Sequence, residues 1–213
     1  MPNQKVISLK KYKNSQTLKK IGESKKMFFL VIVVGAVLGL LVWNLYVENF
    51  AAIDVKIPES KNIIFNDQAP IAMTTTQIAN EFEHSDSKPI LLYIYTTWCK
   101  VCTKNFTTIN EISREFQNTD LQIIAIAIDR NLEPESLQSY LGKFGDIYFQ
   151  PRFLAFKEGF MEFLQKKNIN YNNRIPFTVL ISRDGEVAIK YSGAKNKNFL
   201  RNKIVKELYG SNG

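Results

Sequence analysis

Pro89 is followed by six residues that offer water no face: Ile90-Leu91-Leu92-Tyr93-Ile94-Tyr95. A half-wet helix or strand interrupts its apolar residues with a period of about 3.6 or 2. An uninterrupted run of this length, opened by a proline, predicts a strand covered on both faces, and such strands belong to sheets with helices on either side. Residues 121–128 repeat the pattern and stop at Asp129. Helical spacing appears around them. Phe106, Ile109, Ile112 and Phe116 mark a helix over 99–117, and Ile78, Ala79 and Phe82 mark one behind the cap candidates Thr74-Thr75-Thr76. Further helices are expected over 134–144, 156–168 and 196–209, the last with Phe199, Ile204 and Leu208 inward. A short strand is expected at Ile147-Tyr148-Phe149, and residues 177–182 and 186–192 read as a hairpin around Arg183-Asp184-Gly185. Strands that alternate with helices and finish in a hairpin give an α/β class with a mixed central sheet flanked by helices.

The 213 residues carry a net charge of +8, which invites a nucleic-acid reading. The charge is not spread, however. Residues 1–26 hold eight lysines and one acid, Glu23, residues 27–47 hold no charge, and the rest holds 20 basic and 19 acidic groups. A near-neutral domain with a lysine arm ahead of an apolar run points to membrane topology, with no nucleic acid expected as partner. The run itself, MFFLVIVVGAVLGLLVWNLYV, would span about 31 Å as a helix, close to the hydrocarbon thickness of a bilayer. Trp43 and Tyr46 sit at its far end, where aromatic rings settle at the interface. A cleaved signal peptide would need small residues at both −3 and −1. Near Ala51-Ala52 the −3 position would be Asn49 or Phe50. The expected organisation is therefore a cytoplasmic arm (1–26), an uncleaved transmembrane helix (27–47), a linker and entry strand (48–72), and a globular domain (73–213). That makes a single-pass inner or plasma membrane protein in contact with the lipid bilayer, its domain on the periplasmic or extracytoplasmic side.

Cys99 and Cys102 are the chain's two cysteines, three apart in Trp98-Cys99-Lys100-Val101-Cys102, where the buried strand gives way to a helix. At a helix N-terminus the Cys99 sulfur would face unpaired N–H groups and the positive end of the dipole, which favour thiolate over thiol. Lys100 adds positive charge. One turn on, Cys102 is placed to resolve a mixed disulfide. Half a zinc site, an inert disulfide and two unrelated buried cysteines are the competing readings. A structural zinc site takes four ligands, and beyond the pair the chain has one histidine, His84, in a polar stretch that reads as surface.

The segment Tyr95-Thr96-Thr97-Trp98-Cys99-Lys100-Val101-Cys102 resembles the active-site segment of thioredoxin-like proteins. Ile175-Pro176, ahead of Phe177-Thr178-Val179-Leu180-Ile181, resembles that family's cis-proline segment. The resemblance, over about residues 70–210, implies a thioredoxin-like fold and a redox-active Cys99–Cys102 disulfide. It also implies that Trp98, Lys100, Ile175 and Pro176 support the site. With an anchor and a long interval between Asp129 and Pro176, the chain is similar to tethered TlpA-type thiol–disulfide oxidoreductases, which serve cytochrome c maturation and related periplasmic reduction. Its Val101 also resembles the corresponding residue of membrane-tethered suppressors of copper sensitivity. Exported protein disulfides would be the substrates and a membrane electron donor would renew the dithiol; no cofactor and no metal are called for.

Two positions depart from that pattern. The family's buried acid six residues before the first cysteine is here Tyr93, and the glutamate three residues after the second is Asn105. Neither accepts a proton near neutral pH. A disulfide oxidant or isomerase, a Cu(I) metallochaperone and a partner-binding module stay open beside the reductant.

Overall fold

The computed structural model describes residues 30–46, 57, 63–85 and 87–210. The chain divides into two units between Glu48 and Asn49. In the first, residues 30–46 form helix α1, exposed along its whole length. Among the described residues no helix is long and apolar enough to cross a membrane. Residues 27–29 and 47 of the expected span, and all of the basic arm, lie outside the described residues.

The second unit runs β1 (Ile71–Met73), α2 (Thr75–Glu83), β2 (Ile90–Tyr95), α3 (Lys100–Phe116), β3 (Gln122–Ala127), α4 (Pro134–Leu141), a 3-10 turn (Gly142–Phe144), β4 (Arg152–Leu154), α5 (Phe160–Lys166), β5 (Phe177–Ile181), β6 (Val187–Ser192) and α6 (Lys197–Tyr209). The six strands make one sheet in the order β1-β4-β3-β2-β5-β6. The first four are parallel, and β5 and β6 add antiparallel pairs. The run at 90–95 is central, and all six of its residues are buried. Its side chains alternate: Leu91, Tyr93 and Tyr95 join the core under α3, α4 and α6, while Ile90, Leu92 and Ile94 join the core under α2 and α5. Both faces are covered, as an unbroken apolar strand requires. The ends of β2 and β3 and the start of β5 meet at one edge of the sheet, and α3 begins there.

Local signals set the element ends. Thr74 caps α2 through a capping box with Gln77. Asn196 caps α6 by accepting from the Phe199 N–H at 2.8 Å. The expected helix at 156–168 starts only at Phe160, because Gly159 sits ahead of it in the left-handed region (φ 74°). In α6 the buried face is Leu200, Asn202, Ile204 and Val205, with Phe199 and Leu208 only half-buried, so the expected inward face is rotated.

The strand expected at Ile147-Tyr148-Phe149 does not form. Side chains supply most of the hydrogen bonds there, beside one backbone bond from the Phe65 N–H to the Ile147 carbonyl (2.8 Å). The Ile147 N–H donates to Asn66 Oδ1 (2.7 Å) and the Tyr148 N–H to Asn110 Oδ1 (3.0 Å). Ser113 Oγ donates to the Tyr148 carbonyl (2.6 Å). Ile147 and Phe149 still bury their side chains, which is the signal the sequence carried. The chain joins the sheet a few residues later, as β4.

Candidate active site

Strand β2 ends at Tyr95, and four residues carry the chain to the head of α3. Thr96 is buried, Thr97 half-buried and Trp98 72% exposed. Cys99 is the N-cap of α3, in extended conformation, and its sulfur accepts from the Cys102 N–H at 3.1 Å. The nucleophile thus occupies the place where Ser, Thr or Asp usually satisfies a free helix N–H. Cys99 is partly exposed, Cys102 is fully buried, and the two are joined as a disulfide with Cα atoms 5.1 Å apart. An attacked or attacking sulfur at the surface and a resolving one beneath it is the arrangement that thiol–disulfide exchange needs. Lys100 and Val101 complete the turn, both exposed.

The Ile175–Pro176 peptide bond is cis. Because Ile94 pairs with Phe177, Pro176 lies opposite Tyr95, at the strand end that delivers the cysteines. Pro176 is buried, and its carbonyl accepts from the Gly193 N–H at 2.8 Å. Ile175 is half-buried and touches both cores. The six residues expected at the site therefore divide into one contiguous turn and one segment brought beside its strand by β5. His84 is apart from them, exposed at the end of α2, its Nδ1 2.8 Å from the Asn80 carbonyl.

Beneath the disulfide lies a polar layer within the core. The Tyr93 hydroxyl donates to the Cys102 carbonyl at 3.1 Å. Its ring stacks on Tyr95 (5.2 Å between centroids), and Tyr95 stacks on Tyr140 of α4 (6.1 Å). Burial, and next the Tyr140 phenol, hold the Tyr93 phenol far above its ordinary range. Burial does the same for Tyr95, with Tyr140, Tyr93 and Asp129 adding to it. Both phenols are neutral throughout the physiological range. Asn105, one turn beyond Cys102, is buried with neither end of its amide hydrogen-bonded, and the Tyr95 hydroxyl is likewise unpartnered. The amide is close enough to the Tyr93 hydroxyl to offset part of its rise, yet not in bonding geometry.

Two residues not singled out in the sequence complete the site. Asp129, just beyond β3 and 8% exposed, accepts from the Thr97 N–H with both carboxylate oxygens (3.1 Å each) and from the Thr97 hydroxyl with Oδ1 (2.6 Å). Tyr140 reaches the same turn, its hydroxyl 3.4 Å from Thr103 Oγ1, which in turn donates to the Cys99 carbonyl at 3.3 Å. An acid at the carboxyl end of a parallel strand beside the cysteine-bearing strand was the available signal for Asp129, because loops at that edge carry the sites of α/β sheets.

The chain is similar to known proteins. The chain is 24% identical over 186 residues to the thiol-disulfide oxidoreductase ResA of Bacillus cereus, covering 86% of this chain and 98% of that protein. It matches the protein of the same name from Bacillus anthracis at 24% over 187 residues, with the same coverage. Among solved structures, a thiol:disulfide interchange protein of the thioredoxin family from Chlorobium tepidum TLS superposes with a TM-score of 0.51. It is 15% identical, covering 71% of this chain and 99% of that one, which bears on the fold. Residues 65–207, which include both cysteines and the cis-proline, match the model of the AhpC/TSA family. The chain thus belongs to the AhpC/TSA family of thioredoxin-like proteins, and it is a protein thiol–disulfide oxidoreductase.

Proposed function

We propose that the protein is a membrane-tethered dithiol reductant of exported proteins. The observation that carries the chemistry is the pairing of a helix-capping, accessible Cys99 with a fully buried Cys102 beside the Pro176 segment. In the reduced protein the Cys99 thiolate attacks one sulfur of a partner disulfide. A Cys99–partner disulfide forms and the partner's other sulfur leaves as a thiolate. Cys102, once deprotonated, attacks the Cys99 sulfur, closes the Cys99–Cys102 disulfide and releases the partner's second thiol. Two electrons and two protons pass to the partner, and an outside dithiol must return them. Exposed Trp98 and Val101 beside the sulfur offer an apolar rest for the partner chain. The uncharged run at 27–47 behind a lysine arm supports the tether, with the catalytic unit on the extracytoplasmic side. A membrane dithiol carrier is the matching electron donor.

The test is a trap. Cys102→Ser removes the internal resolving thiol, so release must wait for an external one at far lower effective concentration. Purified from membranes without reductant, this variant should carry exported proteins bound through Cys99, and Cys99→Ser should carry at least tenfold fewer. Apocytochromes in the captured set would assign the protein to cytochrome c maturation; a copper-site protein would assign it to metal-site reduction. Equal, empty lanes from both variants would remove the reductant reading.

A further inference from the structure

We infer that Asp129 is a positioning residue for Cys99, fixing the turn that carries the sulfur and, through its negative charge, restraining thiolate formation. The inference builds on the oxidoreductase chemistry above. Asp129 is the one carboxylate among the buried residues of the described core. Its three hydrogen bonds all come from Thr97, and none of the ion pairs among the described residues involves it. Its neutral donors leave its charge uncancelled. Thr97 lies two residues before Cys99, so their Cα atoms are within about 7.6 Å, two trans-peptide steps. A shift of the carboxylate moves the turn, and its charge lies against the turn that carries the sulfur.

The groups that set the field at Cys99 have opposing signs. The α3 N-terminus and Lys100 stabilise a thiolate; Arg130, next to Asp129, and Arg174, just before the cis bond, are exposed cations at the same edge. Tyr140 reaches the turn from α4 as a neutral phenol. Asp129 is the buried charge of the other sign. A thiolate formed too readily makes the dithiol a poor electron donor, because stabilising the reduced form makes the disulfide more oxidising. A buried carboxylate behind the turn shifts the balance toward donation.

Two substitutions separate the clamp from the charge. Asp129→Asn keeps an oxygen to accept from Thr97 and removes the charge; Thr97→Val keeps the charge and removes the hydroxyl bond. In the reduced full-length protein, the rate of Cys99 alkylation by iodoacetamide at pH 6 should rise about two- to fivefold in Asp129→Asn, the size expected for a partly screened charge at this range. The exchange equilibrium with glutathione should move toward the dithiol by a similar factor. Thr97→Val should show neither change, and Asp129→Glu should keep the wild-type pH profile. Should Asp129→Asn not fold, Asp129→Ser serves as the uncharged variant. No change in the uncharged variant, or the same acceleration in Thr97→Val, would overturn the inference. Alkylation needs no disulfide partner, so this result stands apart from whether the wild type exchanges with glutathione disulfide.

Discussion

The two faces of the central sheet are built from the same strand but to different rules. On the α2–α5 side, β2 contributes Ile90, Leu92 and Ile94, and the core is completed by the hydrocarbon side chains of Ile78, Phe82, Ile124, Ile126, Phe160 and Leu164. On the α3 side, β2 contributes Leu91, Tyr93 and Tyr95, and the core reaches Cys102. There the Tyr95 hydroxyl and both ends of the Asn105 amide are buried without partners. Unpaired buried polar groups cost stability, typically about 1–3 kcal/mol each. The α2–α5 core is built of apolar side chains, and the α3 core carries unpaired polar groups that give up stability next to the reacting sulfurs. Tolerance of that cost directly beneath the disulfide teaches that the polar layer belongs to the chemistry.

Large-to-small changes should break the symmetry of the two faces in function while leaving it in stability. Phe106, fully buried, packs its ring against those of Tyr95, Tyr140, Phe144 and Phe149. Phe106→Ala should cost about 3–5 kcal/mol and Leu92→Ala about 2–5 kcal/mol, both read from urea unfolding. Disulfide exchange measured on the surviving folded protein should change in Phe106→Ala and stay within about twofold of wild type in Leu92→Ala. Equal kinetic losses would mean that the faces are not specialised.

A medium effect should come from making the site face resemble the other. Asn105→Leu replaces an unpartnered amide by a side chain of similar size, and it should raise stability by about 1–3 kcal/mol while slowing closure of the Cys99–Cys102 disulfide. Stopped-flow exchange and chemical unfolding on the same preparation give both numbers. A variant that is less stable, or more stable with unchanged closure, contradicts a trade between packing and chemistry.

The smallest effect concerns the phenols. Tyr93→Phe loses one hydrogen bond to the Cys102 carbonyl and should cost about 0.5–1.5 kcal/mol. Its sharper signature is in alkali. Burial raises the folded-state pKa of Tyr93 and Tyr95 above the unfolded value, so the neutral phenols contribute stability that is fully present below pH about 10 and is lost as pH rises beyond it. Tyr191, pushed up to about 12 by burial, adds to the loss between pH about 10 and 12. Urea midpoints at pH 8 and pH 11 should converge in the Tyr93→Phe, Tyr95→Phe double variant relative to wild type. An unchanged gap would place the alkaline sensitivity elsewhere.

Much of this was readable from residue types alone. The β2 run, the Cys99 helix boundary, the hairpin and the Thr74 cap each rest on a local rule, and the structure keeps them within a residue or two. Cys99, Cys102, Trp98 and Lys100 are contiguous, so finding the strand–helix junction found them together. Pro176 and Asp129 are different, since only strand pairing brings them to the turn, and pairing is not a local property. Pro176 was found through the resemblance of Ile175-Pro176 to the cis-proline segment of thioredoxin-like proteins; an aspartate ending a strand carries no such mark. The segment at 147–149 misled because its buried side chains alternate like a strand's, while the hydrogen-bond partners that decide the matter come from α3 and from Asn66.

That segment also governs how freely the sequence can drift. A strand in a ladder is held by backbone atoms that every residue but proline supplies, so its exposed positions accept many substitutions. Apart from one backbone bond from Phe65 to the Ile147 carbonyl, residues 147 and 148 hang mainly on Asn66, Asn110 and Ser113, three side chains from two distant stretches of chain. Here identity replaces geometry: a change at position 110 removes a support from the backbone 38 residues away. Neutral divergence should run slowly at those three positions and quickly along the solvent side of β6, where every second residue is exposed.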